Sequence, residues 1–205
     1  MNREGTIYTV VFVFIVSFLF VLLLSLANQA TIQQVQLNAE LVRQRAVLSA
    51  FGIAATTDQE VEAKYAQVQY STDTQSYSAV VGGQPALAVE FAGPGLWGTI
   101  TGVLAVTASV DEILGLEIMS DNETPGLGAR INEAWFKDQF RGESVAGQPI
   151  RVVAMPGDGD PSKSDNAVDA ITGATRTSEA IQAIVNTTLD RLRSIASGNG
   201  TGGNT

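Results

Sequence analysis

The segment from Asp169 to Ser178 combines residue types that suit the binding of an anion. Its centre, Thr172-Gly173-Ala174-Thr175, has only small side chains, and Gly173 can adopt backbone conformations closed to other residues, so a ligand can approach the main chain closely. A helix is predicted to begin just after it, with Thr177 or Ser178 as its cap. The free amides and the dipole at such a helix start favour a phosphate-sized anion.

Thr175 lies just before this predicted helix, and its hydroxyl is placed to meet a phosphate. A phosphodiester there would carry one negative charge, which the neighbouring Arg176 can compensate. The residues alone leave an alternative open, in which the segment is a capped loop that holds no ligand.

A second segment, Glu123 to Arg130, is rich in turn-forming residues. Pro125-Gly126 followed by Gly128 predicts a tight turn with Leu127 at its tip. A leucine fixed in this way can lie against a flat ring, while the amides of Gly126 and Gly128 bond to the ring's polar edge. The alternative is an ordinary turn whose Leu127 packs in the core.

This chain contains neither cysteine nor histidine. Disulfides, Fe–S ligation, haem ligation by histidine, tetrahedral zinc sites and Ser-His-Asp triads are therefore excluded. We expect no metal site, and any redox chemistry must be carried by an organic cofactor. The formal net charge of −9 repels phosphate backbones, and no basic stretch with interleaved aromatics occurs, so we expect no nucleic-acid binding.

The two segments together resemble those of FMN-binding domains. Asp169 to Thr175 is similar, at every specified position, to the flavin-transferase acceptor motif Asp-x-x-(Ser/Thr)-Gly-Ala-Thr, and Glu123 to Gly128 resembles the Glu-Thr-Pro-Gly-Leu-Gly loop. The resemblance implies that a flavin transferase moves FMN from FAD onto Thr175, as a phosphodiester, with Asp169 contributing to transferase recognition or to loop structure. It also implies two sets of cofactor-binding residues: Thr172, Gly173, Ala174, Arg176 and Thr177 around the phosphate and ribityl chain, and Thr124, Gly126 and Leu127 along the ring.

The layout of the chain resembles that of two related membrane proteins, the C subunit of the sodium-translocating NADH:quinone oxidoreductase and the G subunit of the Rnf complex. Gly95-Leu96-Trp97-Gly98 favours the first, and the short length favours the second. The resemblance implies an electron-relay subunit, not catalytic alone, whose partners are other membrane subunits of a redox-driven ion pump. Two alternatives are a stand-alone flavin carrier for an extracytoplasmic reductase and a non-redox anchored domain.

The stretch from Ile7 to Ala27 is apolar and uncharged. About 20 such residues span a hydrocarbon core of about 30 Å, so we predict a transmembrane helix here, after a tail at 1–6. A cleaved signal peptide ending at Ser25-Leu26-Ala27 is the alternative, but the apolar stretch is long and little positive charge precedes it. We expect an uncleaved anchor in the inner (cytoplasmic) membrane, with the following domain on the extracytoplasmic side.

Residues 28–196 are predicted to form one α+β domain, in which helices bracket antiparallel hairpins, before a disordered tail at 197–205. The leading helix (28–52) has its apolar pattern at Ile32 to Phe51, with Gly52 as its C-cap. The predicted strands are Tyr65–Tyr70, Tyr77–Val81, Ala86–Phe91, Thr99–Ala108, Ile113–Met119 and Arg151–Ala154. A short helix is predicted around Trp135 to Phe140 and a final helix from about Ser178 to Ala196.

Overall fold

The computed structural model describes residues 5–154 and 159–198. The chain divides into two compact units, Met1–Leu41 and Val42–Thr205. The long helix α1 covers Thr6–Ala50, and its apolar first part makes it long and apolar enough to cross a membrane, by length and composition.

The end of α1 is set by Gly52, which has φ +75°. Its amide donates to the Ser49 carbonyl at 2.9 Å, and the Ile53 amide donates to the Leu48 carbonyl at 2.8 Å. This pair of bonds is the Schellman motif, which needs a left-handed residue after the helix. The predicted role of Gly52 as the helix terminator is confirmed.

Five antiparallel strands follow and form one sheet, in which each strand lies beside the strands that precede and follow it in the sequence. They are β1 (Gln69–Ser71), β2 (Ser76–Val81), β3 (Gln84–Pro94), β4 (Thr99–Thr107) and β5 (Ile113–Ser120). The turn between β2 and β3 is Gly82-Gly83, with φ of 58° and 81°, as a two-residue hairpin of matching twist requires. The predicted hairpins are confirmed. The predicted strand Tyr65–Tyr70 starts too early, because the short helix α2 (Asp58–Tyr65) ends at its first residue, and only Gln69 and Tyr70 belong to β1.

The C-terminal part adds a 3₁₀ turn at Gly128–Asn132, then α3 (Ala134–Phe140), β6 (Arg151–Val153), β7 (Ala167–Asp169) and α4 (Thr175–Ala196). β6 and β7 pair in parallel, and β7 was not predicted. α4 begins at Thr175, earlier than the predicted Ser178. In the predicted disordered tail, Ser197 and Gly198 form a turn, and 199–205 lie outside the described residues.

The second unit has an apolar cluster on each face of its sheet. β4 alternates between them, with Leu104 and Val106 in one cluster and Val103 and Ala105 in the other, and all four are buried. The first cluster includes side chains of α3 and α4, and the second includes Ala46, Val47 and Ala50 at the end of α1. The predicted α+β class is confirmed.

Candidate functional site

The acceptor loop leads into the first turn of α4, and the N-terminus of this helix is capped differently from the prediction. The N-cap position is Ala174, which makes no side-chain cap. The Thr177 hydroxyl instead donates to Glu123 Oε2 at 2.6 Å. The Ser178 hydroxyl donates to the Ala174 carbonyl at 3.0 Å and accepts from the Ile171 amide at 3.1 Å. The prediction that Thr177 or Ser178 caps the helix is therefore wrong, because both hydroxyls have other partners.

Thr175 is the first residue of α4, and it is exposed. The first amides of a helix have no carbonyl partner within it, so an anion attached to this hydroxyl would lie beside free donors. Thr172 and Gly173 are also exposed, whereas Ala174 and Thr177 are buried. Thus only part of the predicted phosphate loop can touch a ligand at this surface.

Arg176 makes an exposed ion pair with Glu179, with Nη1 and Oε2 3.6 Å apart. Such solvated pairs contribute little to stability and are readily rearranged. Arg176 can therefore turn toward an anion at Thr175 at small cost.

Leu127 lies against the acceptor loop and not in the core. Its side chain is 44% exposed. Its Cδ2 would be 3.2 Å from a Cβ placed on Gly173, which has φ +80°. The Pro-Gly turn is formed as predicted, with Gly126 at φ +74° and the amides of Leu127 and Ala129 both donating to the Thr124 carbonyl at 3.1 Å. The interpretation of Leu127 as a core residue is therefore wrong.

Glu123 joins three segments that are far apart in the sequence. Its carboxylate accepts hydrogen bonds from the Thr177 hydroxyl at 2.6 Å, from the Leu96 amide at 2.8 Å and from the Trp97 amide at 3.1 Å. Its own amide donates to Asp121 Oδ1 at 2.8 Å. The turn before β4, the Pro-Gly loop and the start of α4 thus meet at one buried carboxylate.

Two glycines make room for this carboxylate. A Cβ on Gly128 would lie 2.6 Å from Thr177 Oγ1 and 2.7 Å from Glu123 Oε2, and a Cβ on Gly95 would lie 2.5 Å from Glu123 Oε1. Real Cβ contacts are not that short, so any larger residue would displace the carboxylate. Gly95 and Gly128 therefore both make space for the Glu123 carboxylate and its hydrogen bonds.

The turn that Glu123 holds presents two apolar side chains to solvent. Leu96 is 50% exposed and Trp97 is 69% exposed, and the turn closes through the Gly95 amide, which donates to the Gly98 carbonyl at 2.7 Å. Exposed large apolar side chains near a helix start whose amides can bind an anion are suited to a ligand with a flat ring and a phosphate. The observed donors and apolar side chains therefore fit FMN.

The sequence prediction missed Glu123, Leu96 and Trp97 as members of the site. Glu123 is the first residue of the Pro-Gly motif, but its partners at 96, 97 and 177 are 26 to 54 residues away. Such partners cannot be read from local sequence. Asp169, the first residue of the acceptor motif, is buried at the end of β7.

Residues 95–190 match the family model described as the FMN-binding domain. Among curated proteins, the C subunit of the Na⁺-translocating NADH-quinone reductase of Neisseria meningitidis is 31% identical over 90 residues, which are 44% of this chain and 35% of that protein. The G subunit of the Na⁺-translocating ferredoxin:NAD⁺ oxidoreductase complex of Acetobacterium woodii is 36% identical over 84 residues, 41% of this chain and 38% of that one. The matched part spans just over a third of the length of these relatives.

Solved structures share the fold. The C subunit of the Na⁺-translocating NADH-quinone reductase of Parabacteroides distasonis gives a TM-score of 0.66 at 23% identity, covering 80% of this chain and 96% of that one. NqrC of Shewanella oneidensis gives 0.61 at 18% identity, covering 76% and 96%. The matched span holds the turn at Gly95, the Glu123 loop and the start of α4, and the resemblance to the FMN-binding domain family is confirmed.

Proposed function

We propose that this chain carries FMN, bound covalently through its phosphate to Thr175, and serves as an electron-relay subunit of a membrane redox complex. The observation that carries this proposal is the exposed Thr175 at the first turn of a 22-residue helix, two residues after Gly173, against which the exposed Leu127 lies. FMN, when bound, supplies the reversible uptake of electrons.

The residues of this chain have separate tasks in the proposal. Thr175 provides the oxygen of the phosphoester, and the first amides and the dipole of α4 stabilise the phosphate charge. Leu127 and the turn at Leu96-Trp97 offer apolar contact to the ring and exclude water from it. In the rest of the predicted cofactor-binding set, the exposed residues can contact the ligand directly, and these are Thr172, Gly173, Arg176, Thr124 and Gly126. The buried Ala174 and Thr177 shape the loop without such contact.

The membrane setting is supported by α1 and by the relatives. α1 has the length and composition of a membrane span, and the names of the relatives describe subunits of sodium-translocating complexes. We infer a single-pass protein of the inner membrane, with its FMN-binding domain on the extracytoplasmic side and with other membrane subunits of an ion-translocating complex as partners. A flavin transferase would be needed for maturation.

The attachment is tested in the full chain co-expressed with a flavin transferase. We expect flavin fluorescence that survives denaturing electrophoresis and a peptide mass increased by the FMN ester. Thr175→Val, which keeps the side-chain shape and removes the hydroxyl, abolishes both signals. Thr177→Ala retains them, because that hydroxyl is buried against Glu123. Labelling that persists in Thr175→Val refutes the assignment of the site.

A further inference from the structure

The carboxylate of Glu123 is 5% exposed, and its three donors are all neutral. A buried carboxylate is costly unless hydrogen bonds satisfy its oxygens. Here Oε1 receives two main-chain amides, of Leu96 and Trp97, and Oε2 receives the Thr177 hydroxyl. Each oxygen is therefore bonded to a different segment.

The Leu96-Trp97 turn has little besides Glu123 to fix it relative to the start of α4. The Leu96 and Trp97 side chains are mostly solvent-exposed, so packing contributes little to the position of their turn. The Pro-Gly loop begins at Glu123 itself, and the hydroxyl on Oε2 belongs to the first turn of α4, two residues beyond Thr175.

We propose that Glu123 is a positioning residue that fixes the Leu96-Trp97 turn and the Leu127 loop relative to the first turn of α4. It acts through its hydrogen bonds and not through its charge. This inference rests on the proposed function, because the object held in place is the ring of a flavin tethered at Thr175. Without Glu123, the covalent tether at Thr175 remains, but the Leu96-Trp97 turn and the Leu127 loop are no longer held in contact with the ring.

Three substitutions separate hydrogen bonding from charge. Glu123→Gln is neutral but keeps a carbonyl oxygen for the two amides and offers an NH₂ group to the Thr177 oxygen. Glu123→Ala removes every bond. Thr177→Val breaks only the link to α4 and leaves the turn bonded to Glu123. Glu62→Ala, at an exposed position on α2, is the matched control for loss of a glutamate charge.

The first measurement uses the protein without flavin. The chain has two tryptophans, so a Trp135→Phe background makes Trp97 the only emitter. We expect Glu123→Ala to increase the amplitude of nanosecond motion of Trp97, seen as fluorescence depolarisation of the full chain in detergent, about two-fold. Glu123→Gln, Thr177→Val and Glu62→Ala should leave it unchanged, since the turn stays bonded in all three.

The second measurement uses the flavinylated protein. Attachment should persist in every variant, because the ester at Thr175 does not involve Glu123. We expect Glu123→Ala and Thr177→Val to increase flavin depolarisation and to raise the midpoint potential, since a wetter ring stabilises its charged reduced form. Glu123→Gln and Glu62→Ala should match the parent protein in both quantities.

The outcomes separate the two proposals. A parent protein that carries no flavin refutes the proposed function, yet the Trp97 measurement still tests Glu123. A Glu123→Gln variant that shifts the potential as much as Glu123→Ala, with depolarisation unchanged, overturns the inference in favour of a charge effect. Unchanged motion of Trp97 and of the flavin in a folded Glu123→Ala variant also overturns the inference. If Glu123→Ala does not fold, unchanged flavin motion in Thr177→Val overturns it.

Discussion

The side-chain amide of Gln139 bonds to both main-chain groups of Asp169. Its Oε1 accepts from the Asp169 amide at 2.6 Å, and its Nε2 donates to the Asp169 carbonyl at 3.3 Å. The same Oε1 also accepts from the Asp160 amide at 2.9 Å. One side chain of α3 thus gives β7 the bonds that a neighbouring strand would give, just before the acceptor loop.

We expect Gln139→Leu to destabilise the domain by about 2–4 kcal/mol, because it leaves the Asp169 groups and the Asp160 amide without their partner. Urea unfolding followed by tryptophan fluorescence measures the loss. Gln148→Leu, at an exposed position, should change the free energy of unfolding by less than about 0.5 kcal/mol. Equal effects of the two substitutions would show that the Gln139 bonds contribute nothing.

Leu127→Ala should leave the covalent attachment of the flavin intact and change the redox and spectroscopic properties of its ring. Leu127 is 44% exposed, so its truncation costs the protein without flavin less than about 1 kcal/mol. FMN should still be incorporated, but we expect altered flavin fluorescence, a shifted midpoint potential and slower electron transfer. An unchanged potential and spectrum in the folded variant would mean that this loop does not touch the ring.

Glu143 is fully buried, and neither of its carboxylate oxygens has a hydrogen bond of normal geometry within the described residues. Burial raises the pKa of this carboxyl above its ordinary value near 4.5, and Asp165 and Asp160 add to the rise, while the nearby Asn166 amide and Lys163 reduce it. The pKa of Glu143 is therefore higher in the native state than in the unfolded state.

Because the native pKa is the higher one, the native state binds more protons than the unfolded state between the two pKa values, and stability falls as pH rises through that window. We expect Glu143→Gln to remove this loss, which is about 1.4 kcal/mol for each unit of pKa difference. Urea unfolding from pH 4 to pH 8 tests this, with the exposed Glu62→Gln as control. A parallel pH dependence of the Glu143→Gln variant and the parent would contradict it.

The apolar part of α1 should remain in the mature protein. α1 continues through Ala27 without a break, and the apolar stretch is longer than the roughly 7–15 residues of a signal-peptide h-region. Intact-mass measurement of the membrane fraction should give the full chain. A mature N-terminus at Asn28 would show that the segment is a cleaved signal.

The sequence predicted the features that depend on neighbours along the chain. The β2–β3 hairpin and the end of α1 at Gly52 depend on glycines with positive φ, and both were predicted, although the hairpin turn is Gly82-Gly83 and the predicted connection also included Gln84 and Pro85. β7 was missed because its three residues are defined by pairing with β6, which no local pattern reports. The start of α4 was misplaced because Thr177, read as a cap, is bonded to Glu123 across 54 positions.

The candidate site divides in the same way. The residues of the two motifs were identified from their resemblance to FMN-binding domains, and Leu127 does lie against Gly173. The carboxylate that joins these motifs to Trp97 was not identified, because its importance comes from burial and from distant donors.

The agreement between strand order and chain order has a consequence for biosynthesis. Each strand can pair with the one made just before it, so the sheet can assemble while the chain is still being synthesised. α4 is made after the whole sheet, yet its side chains share the apolar cluster with Phe91 and Leu104 on one sheet face. A nascent chain that stalls before Ile181 would leave that face open to solvent, and we expect such chains to be held by chaperones or removed by proteases.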